Sequence, residues 1–173
     1  MKAVTLRSTF MALVFWLGIN PSISQEAKVA NPDDVVSIDS IIGALYEVVS
    51  GPKEERRNWD RMSSLFVDGG KLIPAGANGY RMMTVDDYKI RGDKNFSQVD
   101  FFEIENSRII EKFGHIAHVY STYESRRNPS DLKPFQRGIN SIQLYYDGSR
   151  WWIMTVFWQA ETEEFPLPAK YLK

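Results

Sequence analysis

The stretch from Pro134 to Glu161, PFQRGINSIQLYYDGSRWWIMTVFWQAE, constrains the fold more than any other part of the chain. Asp147-Gly148 lies between two apolar-rich runs, and an Asp-Gly pair in that setting is the strongest short-range signal of a β-hairpin. Strict alternation sends Trp151, Ile153, Thr155 and Phe157 to one side of the second strand and Trp152, Met154, Val156 and Trp158 to the other. Both rows are apolar, and a sheet buries only one face against its own helices. The second row therefore predicts a homodimer, in which one self-complementary surface covers both subunits.

The chain is 173 residues long, 43% hydrophobic and 25% charged, which suits one globular domain. A basic start (Lys2, Arg7), an apolar run from Phe10 to Ile19 and the small residues Ser22 and Ser24 have the layout of a secretory signal peptide. The apolar run is about half the roughly 20 residues a membrane span needs. The expectation is a signal over residues 1–24, cleavage near Gln25, a flexible linker over 25–32, a domain over 33–165 and a tail over 166–173. The protein is then periplasmic or secreted, with no membrane anchor after cleavage. Cysteine is absent, so the exported domain has no disulfide and must rely on its core. A formal net charge of −1, more negative once Lys2 and Arg7 are removed, excludes a nucleic-acid partner that needs a basic face.

Helical patterns come first. Asp33 or Asp34 can cap a helix with an apolar stripe running from Val35 through Ile41, Ile42, Leu45 and Tyr46 to Val49, ended by Ser50-Gly51-Pro52. Lys53 to Phe66 fits a second helix with Trp59, Met62 and Phe66 at helical spacing, stopped by Asp68-Gly69-Gly70. Lys71 to Pro74 reads as a short strand, and Thr84 with Asp87 as a capping arrangement for a helix over Val85 to Arg91. Strands follow over Asp100 to Lys112 and His115 to Arg126, then the hairpin. Helices gathered on one face of a strand meander make an α+β fold.

Three motifs give this order a resemblance: Trp59-Asp60-Arg61-Met62-Ser63-Ser64-Leu65-Phe66, the strand from His115 to Glu124, and Gly148-Ser149-Arg150-Trp151-Trp152-Ile153. With the element order they resemble the nuclear transport factor 2-like superfamily, which includes ketosteroid isomerases, scytalone dehydratases and polyketide cyclases. The resemblance implies a cystatin-like, cone-shaped fold, a curved antiparallel sheet wrapped around N-terminal helices with an apolar funnel between them. It implies a small apolar or mixed-polarity ligand and no cofactor. It also places Asn140 near a pocket asparagine of the dehydratase branch, whose histidines have no counterpart here.

Two functional readings stay open: a lyase, isomerase or hydrolase acting through a single general base, and a non-catalytic dimeric scaffold using the aromatic sheet face. For the first, Asp60 is the candidate base, since a carboxylate in an apolar pocket has its pKa raised; the competing reading is an exposed acid paired with Arg56 or Arg57. Alternation puts Ala117, Val119, Ser121 and Tyr123 on one face. If that face lines the funnel, Ser121, Tyr123 and Asn140 either orient a ligand or satisfy one another in a core. Tyr123 and Asn140 join Asp60 as candidate catalytic residues, and Tyr46, Trp59, Phe101 and Ser121 are candidate ligand contacts. Glu103 and Glu105 share a face expected at the rim or outside. His115 and His118, three apart on a strand, point to opposite faces, which excludes a shared metal. The chain has no nucleophile elbow, phosphate loop or dinucleotide fingerprint.

Overall fold

Asn31 and Ser37 each end an extended segment with a side-chain oxygen that accepts a backbone N–H of the turn that follows, so the expected first helix forms as two. The computed structural model describes residues 29–172; the expected signal segment and half of the expected linker lie outside the described residues. Helix α1 is Pro32–Val35 and α2 is Ile38–Val49. The next helix, α3, spans only Trp59–Leu65, capped by Asn58. Lys53 to Arg57, expected to be helical, form a loop whose bend includes Glu54 at φ 69°. The buried guanidinium of Arg57 holds that loop, donating to the carbonyls of Val49 (3.0 Å), Gly51 (2.6 Å) and Pro52 (3.0 Å). Those bonds satisfy groups that the end of α2 leaves open.

Strand β1, Phe66–Gly76, is longer than expected and begins where the helix was predicted to continue. Asp68-Gly69-Gly70 does not stop it; with Gly69 at φ 77° it forms an irregularity inside the strand. Short strands β2 (Gly79–Tyr80) and β3 (Met83–Thr84) pair with β1, and α4 runs over Val85–Phe96 behind the predicted Thr84–Asp87 capping box. The long strands are β4 (Phe102–Phe113), β5 (Ile116–Arg126), β6 (Gln136–Tyr146) and β7 (Trp151–Ala160). One curved, open sheet carries them in the order β2-β1-β7-β6-β5-β4. Every pairing is antiparallel except β1 with β7, which is parallel. The concave face meets α2: Ile41 and Ile42 are fully buried against a core that includes Val119, Ile142, Leu144 and Ile153.

The hairpin at Asp147-Gly148 forms as expected. Asp147 accepts from the backbone N–H of Ser149 (2.7 Å) and Arg150 (2.8 Å), which closes the turn. The two faces of β7 differ from strict alternation, however. Gln143 pairs with Thr155 and Leu144 with Ile153, so Met154 is an extra residue in β7. One extra residue exchanges the faces of everything beyond it. Trp151 and Ile153 point inward before the bulge, and Val156 and Trp158 point inward after it. Trp152, Met154, Val156 and Trp158 therefore do not form one row, and Val156 cannot sit on a dimer face.

This placement has a direct test. Val156→Arg puts a charge between Leu72 and Ile142, its neighbours on β1 and β6, and is expected to lower stability to urea by roughly 3 kcal/mol or more. Met154→Arg, on the exposed side of the bulge, is expected to change it by about 0.5 kcal/mol or less. Equal damage from both would contradict the bulge.

Candidate functional site

A second bulge decides what enters the concave side. On β4, Ser107 pairs with Thr122 but Glu105 pairs with Tyr123, leaving Asn106 extra. The exchange turns Glu103 and Glu105 inward, correcting their expected place at the rim or outside. Glu103 then lies opposite Ser125. Ser50 at the end of α2 fixes its backbone: the Glu103 N–H donates to Ser50 Oγ (2.9 Å), and Gly51 and Phe101 exchange backbone bonds beside it.

Between α2, α4 and the sheet is a cavity of about 290 Å³. Leu45, Val49, Met62, Leu72, Met83 and Val156 make an apolar wall. Phe96, Phe101 and Trp158 add aromatic surface, with the Phe96 and Phe101 centroids 5.1 Å apart. The polar groups are Tyr46, Tyr88, Tyr123, Asn140 and Glu103 deeper in, with Arg81, Arg91, Asn95 and Gln136 as longer, more polar edges. Gly138, opposite Tyr123, makes room for the phenol: a Cβ there would meet the Tyr123 hydroxyl at 2.5 Å.

A hydrogen-bond chain orients the amide. Ser121 Oγ donates to Glu105 (2.5 Å), so the Tyr46 hydroxyl, 2.6 Å away, donates to Ser121 and accepts from Asn140 Nδ2 at 3.0 Å. Arg108 closes the chain, bonding Glu105 through Nε (2.8 Å) and Asp39 through Nη1 (2.7 Å).

Glu103 is the group with chemical capacity. Part of its side chain faces the cavity, yet its carboxyl is enclosed. Desolvation pushes its pKa up to about 7, against opposing hydrogen bonds from Ser125 and Asn140. Burial, together with the Glu103 charge, holds the phenols of Tyr46, Tyr88 and Tyr123 above their ordinary range, so all three remain neutral O–H groups. A carboxylate balanced near neutrality beside fixed neutral donors can accept a proton from a ligand while a phenol stabilises the developing oxyanion.

Of the residues expected here, Tyr46, Phe101, Tyr123 and Asn140 line the cavity. Ser121 is wholly buried behind Tyr46 and positions it without reaching the cavity. Trp59 stands behind the lining too. It stacks on Phe96 with centroids 6.2 Å apart and donates its indole N–H to Asp93 at 2.5 Å. Asp60 is exposed on α3, because the core side of that short helix is taken by Trp59, Met62 and Leu65. It is outside the cavity and cannot be its base. Its neighbour Arg61 has the structural role, bonding Asp34 through Nε (2.7 Å) and Nη2 (2.8 Å) and Glu47 at 2.8 Å. His115 donates its Nδ1–H to Tyr146 O (2.7 Å), while His118 meets Ser141 (2.8 Å) on the outer face. Among the described residues no cluster of three or more His, Asp or Glu side chains is placed to hold a metal.

Sequence reasoning missed Glu103, Tyr88, Arg81 and Arg91. Tyr88 carried a usable signal, since Tyr88, Arg91, Gly92, Asn95 and Phe96 share one face of α4 at i, i+3, i+4, i+7 and i+8.

No protein-family model matches the chain, and no curated protein matches it in sequence. Solved structures do. A protein of Nostoc punctiforme with a cystatin-like fold aligns over 73% of this chain and 90% of its own, at 11% identity and a TM-score of 0.58. A nuclear transport factor 2-like protein of Silicibacter pomeroyi aligns over 71% and 92%, at 11% identity and 0.52. Another from Pseudomonas putida aligns over 79% and 89%, at 12% identity and 0.55. All three are described as of unknown function. The likeness shows the fold, and the element order and concave cavity agree with it.

The raised carboxyl predicts a pH dependence of stability. The folded form of Glu103 keeps a proton up to about pH 7, whereas the unfolded form loses it near the ordinary 4.5. Stability therefore falls as pH rises from about 4.5 to 7, by at most roughly 3 kcal/mol, and stays lower above that range. Glu103→Gln is expected to be more stable than wild type to urea at pH 8 and nearly equal to it at pH 4.5. No gain at pH 8 would mean that the carboxylate is well solvated.

Proposed function

We propose that this domain, of nuclear transport factor 2-like fold, binds a small, largely apolar molecule in its funnel and acts on it by proton transfer, with Glu103 as the single general base. The observation that carries the reading is the convergence of Glu103, Tyr123 and Asn140 on one apolar cavity. Catalytic and binding sites are typically concave, mostly apolar and supplied with a few fixed polar groups. The reaction class is lyase, isomerase or hydrolase. Glu103, held in place by the Asn140 amide, removes a proton, and the neutral Tyr123 hydroxyl donates to the oxygen on which charge develops. The Asn140–Tyr46–Ser121–Glu105 chain keeps the amide nitrogen oriented so that little reorganisation is needed.

With a substrate found by screening ketones, hydroxycarbonyl compounds and epoxides, kcat is expected to rise with pH through an apparent pKa near 7. Glu103→Gln is expected to lower kcat by about 10²–10⁴-fold while remaining folded, and Asp60→Asn to leave it within about twofold. Turnover that survives Glu103→Gln would remove Glu103 from the chemistry.

Export belongs to the same proposal and rests on the basic start, the apolar run from Phe10 to Ile19 and the small residues Ser22 and Ser24. Protein recovered from its native host is expected in the periplasm or medium with an N-terminus near Gln25. N-terminal sequencing that finds Met1 on cytoplasmic protein would overturn this.

A second reading, a homodimeric scaffold, has the exposed Tyr145, Met154 and Phe157 on the outer sheet face in its favour. Less of that face is free than alternation implies. The C-terminal segment crosses it, with Ser107 and Thr122 donating to Tyr171 O at 2.5 and 2.7 Å and Tyr120 packed on Tyr171. A monomer in sedimentation velocity at high micromolar concentration would exclude this second reading.

A further inference from the structure

The funnel is apolar in its walls and acidic at Glu103, yet both of the cations that line it are arginines from the α4 side. Arg91 projects from the α4 face that also presents Tyr88 and Asn95, while Arg81 lies in the segment between β2 and β3. Arg81 is tied to the wall through its backbone, its N–H donating to the carbonyl of Pro74 (3.1 Å), itself a lining residue. Both arginine side chains are exposed and therefore belong to the mouth. Among the described residues neither guanidinium has an acidic partner. Arg61, Arg108, Arg126 and Arg137, by contrast, are all in ion pairs.

Nor do these arginines serve the base. Burial and the hydrogen bonds of Ser125 and Asn140 account for the environment of Glu103, with no contribution from a cation. An open guanidinium offers a planar fork of N–H donors that fits a carboxylate or another oxyanion, and two at one opening attract such a group more strongly than a lone surface charge. The chain as a whole is slightly negative, so this positive opening is a local feature.

We propose that the ligand is an amphipathic anion: an apolar body of one or two rings that fills the funnel toward Glu103, with a carboxylate or similar oxyanion held at the mouth by Arg81 and Arg91. This rests on the reading of the funnel as a small-molecule site and adds the chemical class of the molecule. It also gives the ligand a direction. The anionic end stays at the mouth, away from the Glu103 carboxylate that would repel it, and the end carrying the labile proton goes inward.

Isothermal titration calorimetry at pH 7.5 with three probes of equal body tests it: 2-naphthoate, 2-naphthalenemethanol and 2-naphthylmethylammonium. Naphthoate is expected to bind about 10-fold or more tighter than the neutral alcohol, with the ammonium weakest, and its advantage is expected to shrink as NaCl rises. In the double variant Arg81→Gln, Arg91→Gln the anion and the alcohol are expected to agree within about threefold, with the affinity for the alcohol unchanged from wild type. Wild-type protein that binds the alcohol as tightly as the anion would overturn the anion proposal and leave the funnel reading standing. A preference for the anion that persists in the double variant would remove the two arginines from it. Binding of none of the three probes would overturn both the proposal and the funnel reading beneath it.

Discussion

Two single-residue bulges determine what this sheet presents to its concave side. If Asn106 were paired rather than bulged out, the pairing that runs from Lys112–Ala117 to Ser107–Thr122 would continue, setting Tyr123 against Asn106 and Ser125 against Ile104. Ile104 would then face inward and Glu103 outward. If Met154 were paired rather than bulged out, the register of Leu144 with Ile153 would carry on, placing Phe157 rather than Trp158 opposite Asn140. A bulge also bends its strand and increases its twist, so the features that choose the residues help curve the sheet round α2. The irregularity between Phe66 and Lys71 of β1 lies against the Met154 bulge, since Phe66 pairs with Ile153 and Lys71 with Thr155. The bend is thus shared across the sheet.

This explains which parts of the molecule were legible in the sequence. Helical stripes are local, so the apolar face of α2, the Thr84 capping box and the place of Tyr46 could be read directly. Alternation within β5 is unbroken, so Ser121 and Tyr123 were correctly put on one face, and Asn140 came with them through the β5–β6 register. The failures follow strands whose alternation is interrupted. Neither Asn106 nor Met154 has a composition that marks a bulge; each is specified by tertiary packing that single-strand periodicity does not contain. Asp60 failed for another reason. The side chain beside Trp59 was expected to share its burial, but Trp59, Met62 and Leu65 take the core side of α3, leaving Asp60 on the solvent side.

Placing Glu103 inside has an energetic consequence. A carboxyl held between burial and two hydrogen bonds is less stable in its charged form than in water, and the surrounding structure offsets this. Ser50 is part of that support, because one hydroxyl engages the backbone of Glu103 as well as the Tyr46 carbonyl at the end of α2. Rigid attachment matters for a proton acceptor, whose usefulness depends on distance to the reacting atom. Glu105, one pleat along, is treated oppositely. Its charge is paired with Arg108 and bonded by Ser121, which makes it an anchor for the relay rather than a second base. The two inward acids therefore divide into one without a cation partner, the proposed base, and one held by Arg108.

The funnel is correspondingly asymmetric in how its parts are held. Its floor and one wall are sheet and α2, where Asn140, Tyr46 and Tyr123 are fixed by ladder pairing, the relay and the close approach of Gly138. The other wall is α4 and the short β2–β3 segment, which supply the cations and amide of the mouth from exposed positions. Gly92 lets α4 come close to α3: a Cβ there would lie 2.5 Å from the Trp59 ring, so the helix seats against that indole with its polar residues directed to the opening. The proposed base therefore belongs to the rigid half and the unpaired cations to the peripheral half. Substitutions at Arg81, Arg91 or Asn95 alter the exposed edge of the cavity without touching Glu103, whereas a change at Ser50, Gly138 or Asn140 disturbs the packing that holds Glu103, Tyr46 and Tyr123 in place.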